Sequence, residues 1–191
     1  MAVGAHLYTV EAFEALADSP QNVDRLLELV NGEIVEKMPT EDHGVITINI
    51  STPLATFAHS RKLGRVAVEV RYRRPGDEYN ARIPDISFSS AKRPIVKEGS
   101  VPELPDLAVE VQSPRQSLKE LREKAHYFLA NGTRLFWLVI PAKQLVEVYT
   151  ADEELVLNID DTLSGGVVLP EFTLAVRDIF RDPLEEGEDY A

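Results

Sequence analysis

Six consecutive apolar residues, Leu135 to Ile140, make a segment of strand length that has no polar face. A strand of this kind is buried on both faces, as in the middle of a sheet that other elements cover. Before it, a capping box at Ser117-Leu-Lys-Glu120 opens a helix, and Asn131-Gly132 ends it. An apolar strand from Leu107 to Gln112 precedes this helix. The order strand, helix, strand predicts an α/β (α+β) fold with a mixed central sheet flanked by helices, in which any parallel pair has a right-handed crossover.

The other elements follow from periodicity and turn signals. Asn31-Gly32 accepts the positive φ angles of a type I′ turn, which predicts an N-terminal hairpin between Arg25 to Val30 and Glu33 to Met38. Residues 42 to 62 have apolar side chains at helical spacing, but Pro53 should kink or divide that helix. The remaining predictions are a short helix capped by Thr9 and ending at Leu16, and strands at Arg65 to Arg73, Asp85 to Phe88 and Gln144 to Tyr149.

Length and composition are those of an ordinary globular chain. The 191 residues predict a single domain over residues 1–181, followed by an acidic, flexible tail at residues 182–191. No apolar run approaches the ~20 residues that span a membrane, and the first residues lack the pattern of a signal peptide, so we expect a cytoplasmic protein with no membrane partner. The absence of cysteine excludes disulfides, thiolate zinc sites and a cysteine nucleophile.

Charge is distributed unevenly along the chain. The net charge is −12, yet residues 61 to 93 contain nine basic and four acidic residues. Such a segment is compatible with contacts to phosphate groups, although a solvated charged face is the more common explanation of this pattern. Composition alone therefore does not decide whether the chain binds nucleic acid.

Glu110 lies in the middle of the predicted strand from Leu107 to Gln112. A carboxylate there is costly unless it is paired, bound to a cation or turned towards solvent. Asp85 follows Pro84 and begins another predicted strand, and two carboxylates on neighbouring strands make a hard oxygen site suited to Mg²⁺ or Mn²⁺. Asp106 is a weaker candidate, because four strand residues, or about 13 Å, separate it from Glu110.

A phosphodiesterase that uses a metal also needs a cation that stabilises charge and orients the attacking water. Gln112, two residues after Glu110, is polar but uncharged. Lys124 follows Glu120 by four positions on the predicted helix and offers a replacement, although surface Glu–Lys pairs at this spacing are common.

Seven short motifs occur in a characteristic order: Tyr8-Thr-Val-Glu11, Leu29-Val-Asn-Gly-Glu33, Pro84-Asp85, Glu110-Val-Gln112-Ser-Pro, Arg122-Glu-Lys124, Phe136-Trp-Leu-Val and Val176-Arg-Asp-Ile-Phe180. Their order and spacing resemble the Uma-two family of restriction endonucleases, which belongs to the PD-(D/E)XK nuclease superfamily. The resemblance runs almost from end to end and implies a restriction-endonuclease-like core. The chain departs from the family pattern at Glu120 and Ile140, where the family has Asp, and at Gln112, where an aliphatic residue is frequent.

The resemblance implies a metal-dependent endonuclease that hydrolyses phosphodiester bonds of DNA. Asp85 and Glu110 would bind Mg²⁺, or Mn²⁺ as a substitute, and the lysine expected after the second acid would be replaced by Lys124 on the helix. Gln112 and Glu33 are further candidates for the catalytic group. Two-fold cleavage of DNA would favour a homodimer. The candidate contacts to the DNA backbone are Arg71, Arg73, Arg74 and Arg82.

Alternatives to this function remain open at the level of sequence. An inactive descendant that binds nucleic acid or a protein partner would keep the same carboxylates as structural ion pairs. A sugar hydrolase with a carboxylate pair is a distant third, because 7% aromatic residues and a single tryptophan, Trp137, offer little for stacking on sugars. His43 matches a histidine of the family, and for it a proton relay near Glu33 and packing at a helix start are equal alternatives.

Overall fold

The computed structural model describes residues 7–90, 92, 94–182 and 184. Arg93 of the basic segment and most of the predicted tail, Pro183 and residues 185–191, lie outside the described residues. The helices are α1 (Val10–Ala17), α2 (Glu41–Ser60), α3 (Leu118–Ala130) and α4 (Val176–Ile179). The strands are β1 (Leu27–Val30), β2 (Glu33–Glu36), β3 (Arg65–Val68), β4 (Ile86–Ser89), β5 (Leu107–Val111), β6 (Leu135–Ile140), β7 (Leu145–Tyr149), β8 (Glu154–Leu157), β9 (Thr162–Ser164) and β10 (Thr173–Ala175). In this described part, no helix is long and apolar enough to cross a membrane.

A six-stranded sheet has the order β3-β4-β5-β6-β7-β8. Its neighbouring strands are antiparallel except for β5 and β6, which run parallel with Leu107 opposite Leu135. The helix α3 connects these two strands, because a parallel pair needs a crossover rather than a tight turn. All six residues of β6 are buried, as their unbroken apolar run predicts. The predicted mixed central sheet flanked by helices is confirmed.

The two faces of the sheet build separate apolar layers. On one face, Val109 of β5 shares an apolar cluster with Ile50 of α2. On the other face, Ala108 of β5 shares a cluster with Phe128 of α3. Because successive side chains of a strand alternate between faces, Glu110 is directed to the side of α3.

The predicted N-terminal hairpin is present. β1 and β2 pair in antiparallel register, and Asn31 and Gly32 have φ angles of 50° and 86°, as a type I′ turn requires. The backbones of Leu29 and Ala81 exchange hydrogen bonds of 2.8 and 3.0 Å, and both residues are buried in a third apolar cluster with α1. This attachment brings β1, and the residues that follow β2, next to the segment Ile83 to Asp85 immediately before β4.

The helix α2 runs from Glu41 to Ser60 without interruption. Of the two predicted effects of Pro53, a kink or a division of the helix, division is therefore wrong. Pro53 has no N–H to donate to the carbonyl of Asn49, four residues earlier. The helix continues because Ile50 and Leu54, on either side of the missing hydrogen bond, are fully buried in the apolar layer.

The strand predicted from Arg65 to Arg73 is shorter than expected. β3 ends at Val68, because Glu69 has a φ angle of 53°, a left-handed conformation that no strand continues through.

The capping box at the start of α3 has the right position but not the predicted hydrogen bond. Ser117 is the N-cap residue, yet its side chain makes no capping hydrogen bond. The preceding turn is closed instead by Gln116, whose side-chain oxygen accepts from the N–H of Ser113 at 2.9 Å.

We predict that Pro53→Ala raises the free energy of unfolding by about 1–3 kcal/mol, because alanine restores the hydrogen bond to Asn49 in a helix that is already continuous. Urea denaturation followed by circular dichroism measures the change. Thr52→Ala, a change at an exposed neighbouring position of α2, is the control and should shift the value by less than about 0.5 kcal/mol. A loss of stability in Pro53→Ala would contradict the prediction.

Candidate active site

Asp85 lies immediately before β4 and is almost fully buried. Its backbone N–H donates to the carbonyl of Val109 at 3.0 Å, which aligns it with β5. Its Oδ2 accepts from the N–H of Val111 at 2.7 Å and lies 3.1 Å from Nε2 of His43. Burial raises the pKa of Asp85, but the ammonium of Lys37 and the hydrogen bond from His43 outweigh it and hold that pKa well below its usual range. Asp85 is therefore a fixed, ionised carboxylate.

Glu110 is fully buried on the neighbouring strand. Its Oε1 accepts hydrogen bonds of 3.0 Å from Lys37 and from Lys124. Its Oε2 is 2.9 Å from Nζ of Lys124, but the alignment is not that of a hydrogen bond, so this buried oxygen has no hydrogen-bond partner among the described residues. Burial and the nearby charge of Asp85 raise the pKa of Glu110 above its usual value.

Lys124 projects from α3 into this group, as sequence reasoning placed it. Its ammonium lies 2.8 Å from Oε1 of Glu28 and donates to the carbonyl of Ile83 at 2.8 Å, in addition to its contacts with Glu110. The third carboxylate, Glu28 of β1, was missed by sequence reasoning. The signal that could have found it is the one that identified Glu110, an acid inside a short apolar strand, Leu27–Val30.

Lys37 is the second residue that sequence reasoning missed. It follows β2, and its Nζ lies 2.5 Å from Oδ1 of Asp85, 3.0 Å from Oε1 of Glu110 and 3.1 Å from the carbonyl oxygen of Ile83. Burial lowers the pKa of Lys37, but the charges of Glu110 and Asp85 outweigh it and raise that pKa above its usual value. No sequence signal marks this lysine, because it follows a largely exposed strand and only the tertiary fold brings it to the carboxylates.

We refer to Glu28, Asp85, Glu110, Lys37 and Lys124 as the buried charge cluster. Its three carboxylates face two ammonium groups, which leaves one net negative charge when all five residues are ionised. His43, which touches Asp85, borders the cluster. Burial lowers the pKa of His43, but its hydrogen bond to Asp85 raises it overall.

Two cavities adjoin the buried charge cluster. The first, the Asp85 cavity, has a volume of about 660 Å³ and is lined by residues that include Lys37, His43, Asp85 and Arg115. The second, the Glu110 cavity, has a volume of about 460 Å³ and is lined by residues that include Glu28, Glu33, Arg82, Glu110 and Lys124. Val35, Gln116 and Glu120 line both cavities, so the two lie side by side along one groove.

Other predicted site residues lie at various distances from the cluster. Glu33 is exposed on β2 and lines the Glu110 cavity, but it has no hydrogen bond or ion pair with the described members of the cluster. Gln112 donates to the backbone carbonyl of Gln116 at 2.9 Å rather than to a cluster residue. Asp106, ranked below Asp85 from the sequence, accepts hydrogen bonds from Ser90 and pairs with Arg134, away from the cluster.

The four predicted arginines do not form one patch. Arg71 pairs with Asp18 at 2.5 Å and Arg73 with Glu14 at 3.5 Å, so both are tied to the α1 region. Arg74 is exposed and donates to the side chain of Asn131 at 3.1 Å. Arg82 is buried, lies over the ring of Tyr127 and lines the Glu110 cavity. Of the four, only Arg82 adjoins the cluster.

Comparison with known proteins identifies the family of this chain. The model of the Uma2 family, described as "Putative restriction endonuclease", matches residues 10–177. The chain belongs to the Uma2 family. This agrees with the resemblance seen in the sequence motifs, which fall almost entirely within the matched residues.

A solved structure has the same fold as this Uma2 protein. It is the crystal structure of a putative nuclease belonging to DUF820 from Anabaena variabilis ATCC 29413, with 25% sequence identity and a TM-score of 0.76. The similarity covers 90% of this chain and 97% of that one, so the two share the fold over almost their whole length. No curated protein matches the chain.

The donors of the Uma2 site fit a divalent cation bound by two carboxylates. Asp85 and Glu110 provide hard oxygen ligands side by side. Oε2 of Glu110 is buried and accepts no hydrogen bond from the described residues, although Nζ of Lys124 lies 2.9 Å away, so it has capacity for a further cation. In the described part of the chain, no set of three or more His, Cys, Asp or Glu residues converges as metal ligands. Such a donor set suits Mg²⁺, which proteins often hold with one or two carboxylates while water and substrate phosphate complete the shell.

We predict that Lys124→Met lowers the free energy of unfolding by about 3–5 kcal/mol, because it leaves buried carboxylates without their ammonium partner. Urea denaturation measures the effect. Lys119→Met removes an exposed ammonium from the same helix, where it is 3.9 Å from Glu123, and should cost less than about 0.5 kcal/mol. Equal stabilities of the two variants would show that the cluster is not held by Lys124.

Proposed function

We propose that this Uma2 protein is a metal-dependent endonuclease that hydrolyses phosphodiester bonds of DNA. The observation that carries the proposal is the position of Asp85 and Glu110, two buried carboxylates on adjacent strands that a single cationic atom, Nζ of Lys37, contacts at 2.5 and 3.0 Å. Two acids so close that one cation reaches both suit divalent metal chemistry on a phosphate. Membership of a family described as restriction endonucleases supports the same reaction.

Asp85 and Glu110 would hold the metal, Mg²⁺ or Mn²⁺ as a substitute. A divalent ion there lowers the pKa of a bound water and neutralises charge that develops on the reacting phosphate. The protein keeps Asp85 ready as a ligand, because the N–H of Val111 and Nε2 of His43 orient Oδ2. Asp85 and Glu110 would supply the carboxylate oxygens for the ion, while Oδ2 of Asp85 keeps its contacts with Val111 and His43.

Lys124 is a positioning residue in this proposal. An ammonium has three N–H donors, and those of Lys124 are directed at Glu28, Glu110 and the carbonyl of Ile83. Lys124 therefore fixes the carboxylate of Glu110 rather than reaching a phosphate. Gln112 would act indirectly. Its hydrogen bond holds the turn at Gln116, a residue that lines both cavities.

The groove along the two cavities would accept the DNA backbone. Glu33 and Glu120 make its rim acidic, so the metal and Arg82 would offset repulsion of the phosphates. Arg71, Arg73 and Arg74 would contact phosphates further along the strand, and two-fold cleavage would bring two copies of the chain together. A cytoplasmic location, with access to DNA, would suit this function.

A specific observation favours a second candidate, an inactive nuclease fold that binds nucleic acid or a protein. Lys37 satisfies Asp85 and Glu110 without any metal. In this alternative the buried charge cluster is a permanent structural ion-pair network, and the protein would neither bind Mn²⁺ nor cut DNA.

Cleavage of DNA tests the proposal directly. With supercoiled plasmid and Mg²⁺ or Mn²⁺, we expect nicking by the native protein, loss on addition of EDTA, and a decrease of about 100-fold or more in Asp85→Asn and Glu110→Gln, because each removes charge that holds the metal. Glu154→Gln, an exposed acid of β8 that lines neither cavity, is the control and should retain activity. Activity that survives EDTA and both cluster substitutions would overturn the proposal.

The salt dependence of DNA binding tests the arginine contacts separately. We expect Arg74→Ala to reduce the slope of log K against log salt by about 0.9, the value for one lost phosphate contact. Arg177→Ala removes an exposed arginine paired with Asp160 at 2.9 Å and should leave the slope unchanged. Fluorescence anisotropy with a labelled duplex measures both, and identical slopes for Arg74→Ala and the native chain would remove Arg74 from the interface.

A further inference from the structure

Lys37 holds the position between the two proposed metal ligands. Its Nζ contacts Oδ1 of Asp85 and Oε1 of Glu110 at 2.5 and 3.0 Å, with the carbonyl of Ile83 as its third acceptor at 3.1 Å. A cation that bridges the two carboxylates needs the same space. Lys37 and a bridging metal ion therefore exclude each other.

The hydrogen bonds of Lys37 are largely duplicated by Lys124. Lys124 also donates to Oε1 of Glu110 and to the carbonyl of Ile83, at 3.0 and 2.8 Å. If the ammonium of Lys37 leaves, those two acceptors keep a partner, and the oxygen that loses a donor is Oδ1 of Asp85. This oxygen and Oε2 of Glu110, which accepts no hydrogen bond from the described residues but lies 2.9 Å from Nζ of Lys124, are the two carboxylate oxygens that a cation would use.

Charge balance favours a divalent ion that replaces Lys37 over one that is added beside it. The three carboxylates and two ammonium groups of the buried charge cluster sum to one negative charge. A divalent ion added beside both lysines would make the cluster positive, with three cations confined together. A divalent ion that replaces Lys37 would make the cluster neutral, which is the favoured state for charges removed from water.

The two lysines also differ in how they are held. Lys124 lies within α3, and its side chain is buried among Glu28, Glu110 and Ile83. Both side chains are almost fully buried and each lines a cavity, Lys124 the Glu110 cavity and Lys37 the Asp85 cavity of about 660 Å³. Lys37, however, belongs to the connection between β2 and α2 rather than to a helix, and Lys124 already donates to two of its three acceptors. Because a lysine side chain can turn by rotation about its own bonds, Lys37 is the cation that leaves at the smaller cost.

We infer that Lys37 is a built-in competitor for the metal: its ammonium fills the bridging position until a divalent ion displaces it into the Asp85 cavity. The inference rests on the metal site of the proposed function and adds its regulation. The observed affinity for metal is then lower than the affinity that Asp85 and Glu110 would have without Lys37, because binding must also supply the free energy that displaces Lys37. If Lys37 competes with the metal, removal of its ammonium should strengthen metal binding. If Lys37 is only a structural ion-pair partner, its removal should not strengthen metal binding.

Calorimetric titration with Mn²⁺ tests the exchange without a DNA substrate. We expect Lys37→Met to bind one Mn²⁺ per chain at least 10-fold more tightly than the native protein, and Lys37→Met combined with Glu110→Gln to bind none. Lys119→Met removes one positive charge outside the cluster and should stay within about twofold of the native affinity, because exposed charges are screened. Circular dichroism establishes that each variant is folded.

A second measurement on the native chain avoids any loss of folding in the variants. Lysine acylation followed by mass spectrometry should label Lys37 at least 10-fold faster when Mn²⁺ is present, while Lys124 stays protected. Equal Mn²⁺ affinities of Lys37→Met and the native protein, or labelling of Lys37 that does not respond to bound Mn²⁺, would overturn the exchange and leave the proposed nuclease standing. Absence of Mn²⁺ binding in both proteins, with no cleavage of DNA, would overturn both.

Discussion

Carboxylates that are removed from water must be paired, and in this protein that requirement governs the arrangement around β4 and β5. Asp85 and Glu110 are buried side by side, a placement that would be strongly unfavourable alone. The compensating charges come from distant parts of the chain, Lys124 from the crossover helix and Lys37 from the segment after the hairpin. The central sheet, α3 and the segment after the hairpin therefore contact one another at the buried charge cluster.

The surroundings of the cluster bear on the chemistry it can perform. The chain carries a net charge of −12, and glutamates such as Glu33 and Glu120 line the Glu110 cavity. A polyanion would be repelled from this groove unless cations offset the field. A divalent ion on Asp85 and Glu110 supplies such an offset at the reacting phosphate itself, which makes metal binding and substrate binding mutually dependent in the proposed function.

Much of the fold could be predicted from local pattern. The apolar run of β6, the Asn-Gly turn and the helix ending at Asn131-Gly132 each depend on neighbouring residues alone, and each is present. Prediction was weaker where packing overrides local preference, as at Pro53, whose helix is held continuous by buried neighbours. It was weaker also at Glu69, since nothing in its sequence neighbourhood announces a left-handed backbone.

The residues of the candidate site also fall into two groups, those that the local sequence indicates and those that only the tertiary fold brings together. An acid inside an apolar strand is visible in the sequence, and so is a lysine on a helix that follows it, so Glu110 and Lys124 could be selected. Asp85 could be selected as the acid that begins a neighbouring predicted strand. Glu28 carries the same kind of signal in a shorter strand and was overlooked. Lys37 carries none, because its position depends on how the hairpin is attached, and that attachment is made by backbone hydrogen bonds between Leu29 and Ala81.

The hairpin is thus joined to the sheet in two different ways, with separate consequences. The contact of Leu29 with Ala81 is apolar and backbone-mediated, so ionic conditions should leave it intact. The contacts of Glu28 and Lys37 are ionic, and both residues lie towards the open end of the hairpin, away from its turn. Displacement of Lys37 from the carboxylates would therefore increase the mobility of the segment after β2, while the turn at Asn31-Gly32 stays in place. The apolar contact would hold the hairpin in place, and the mobility of its open end would depend on which cation occupies the charged site.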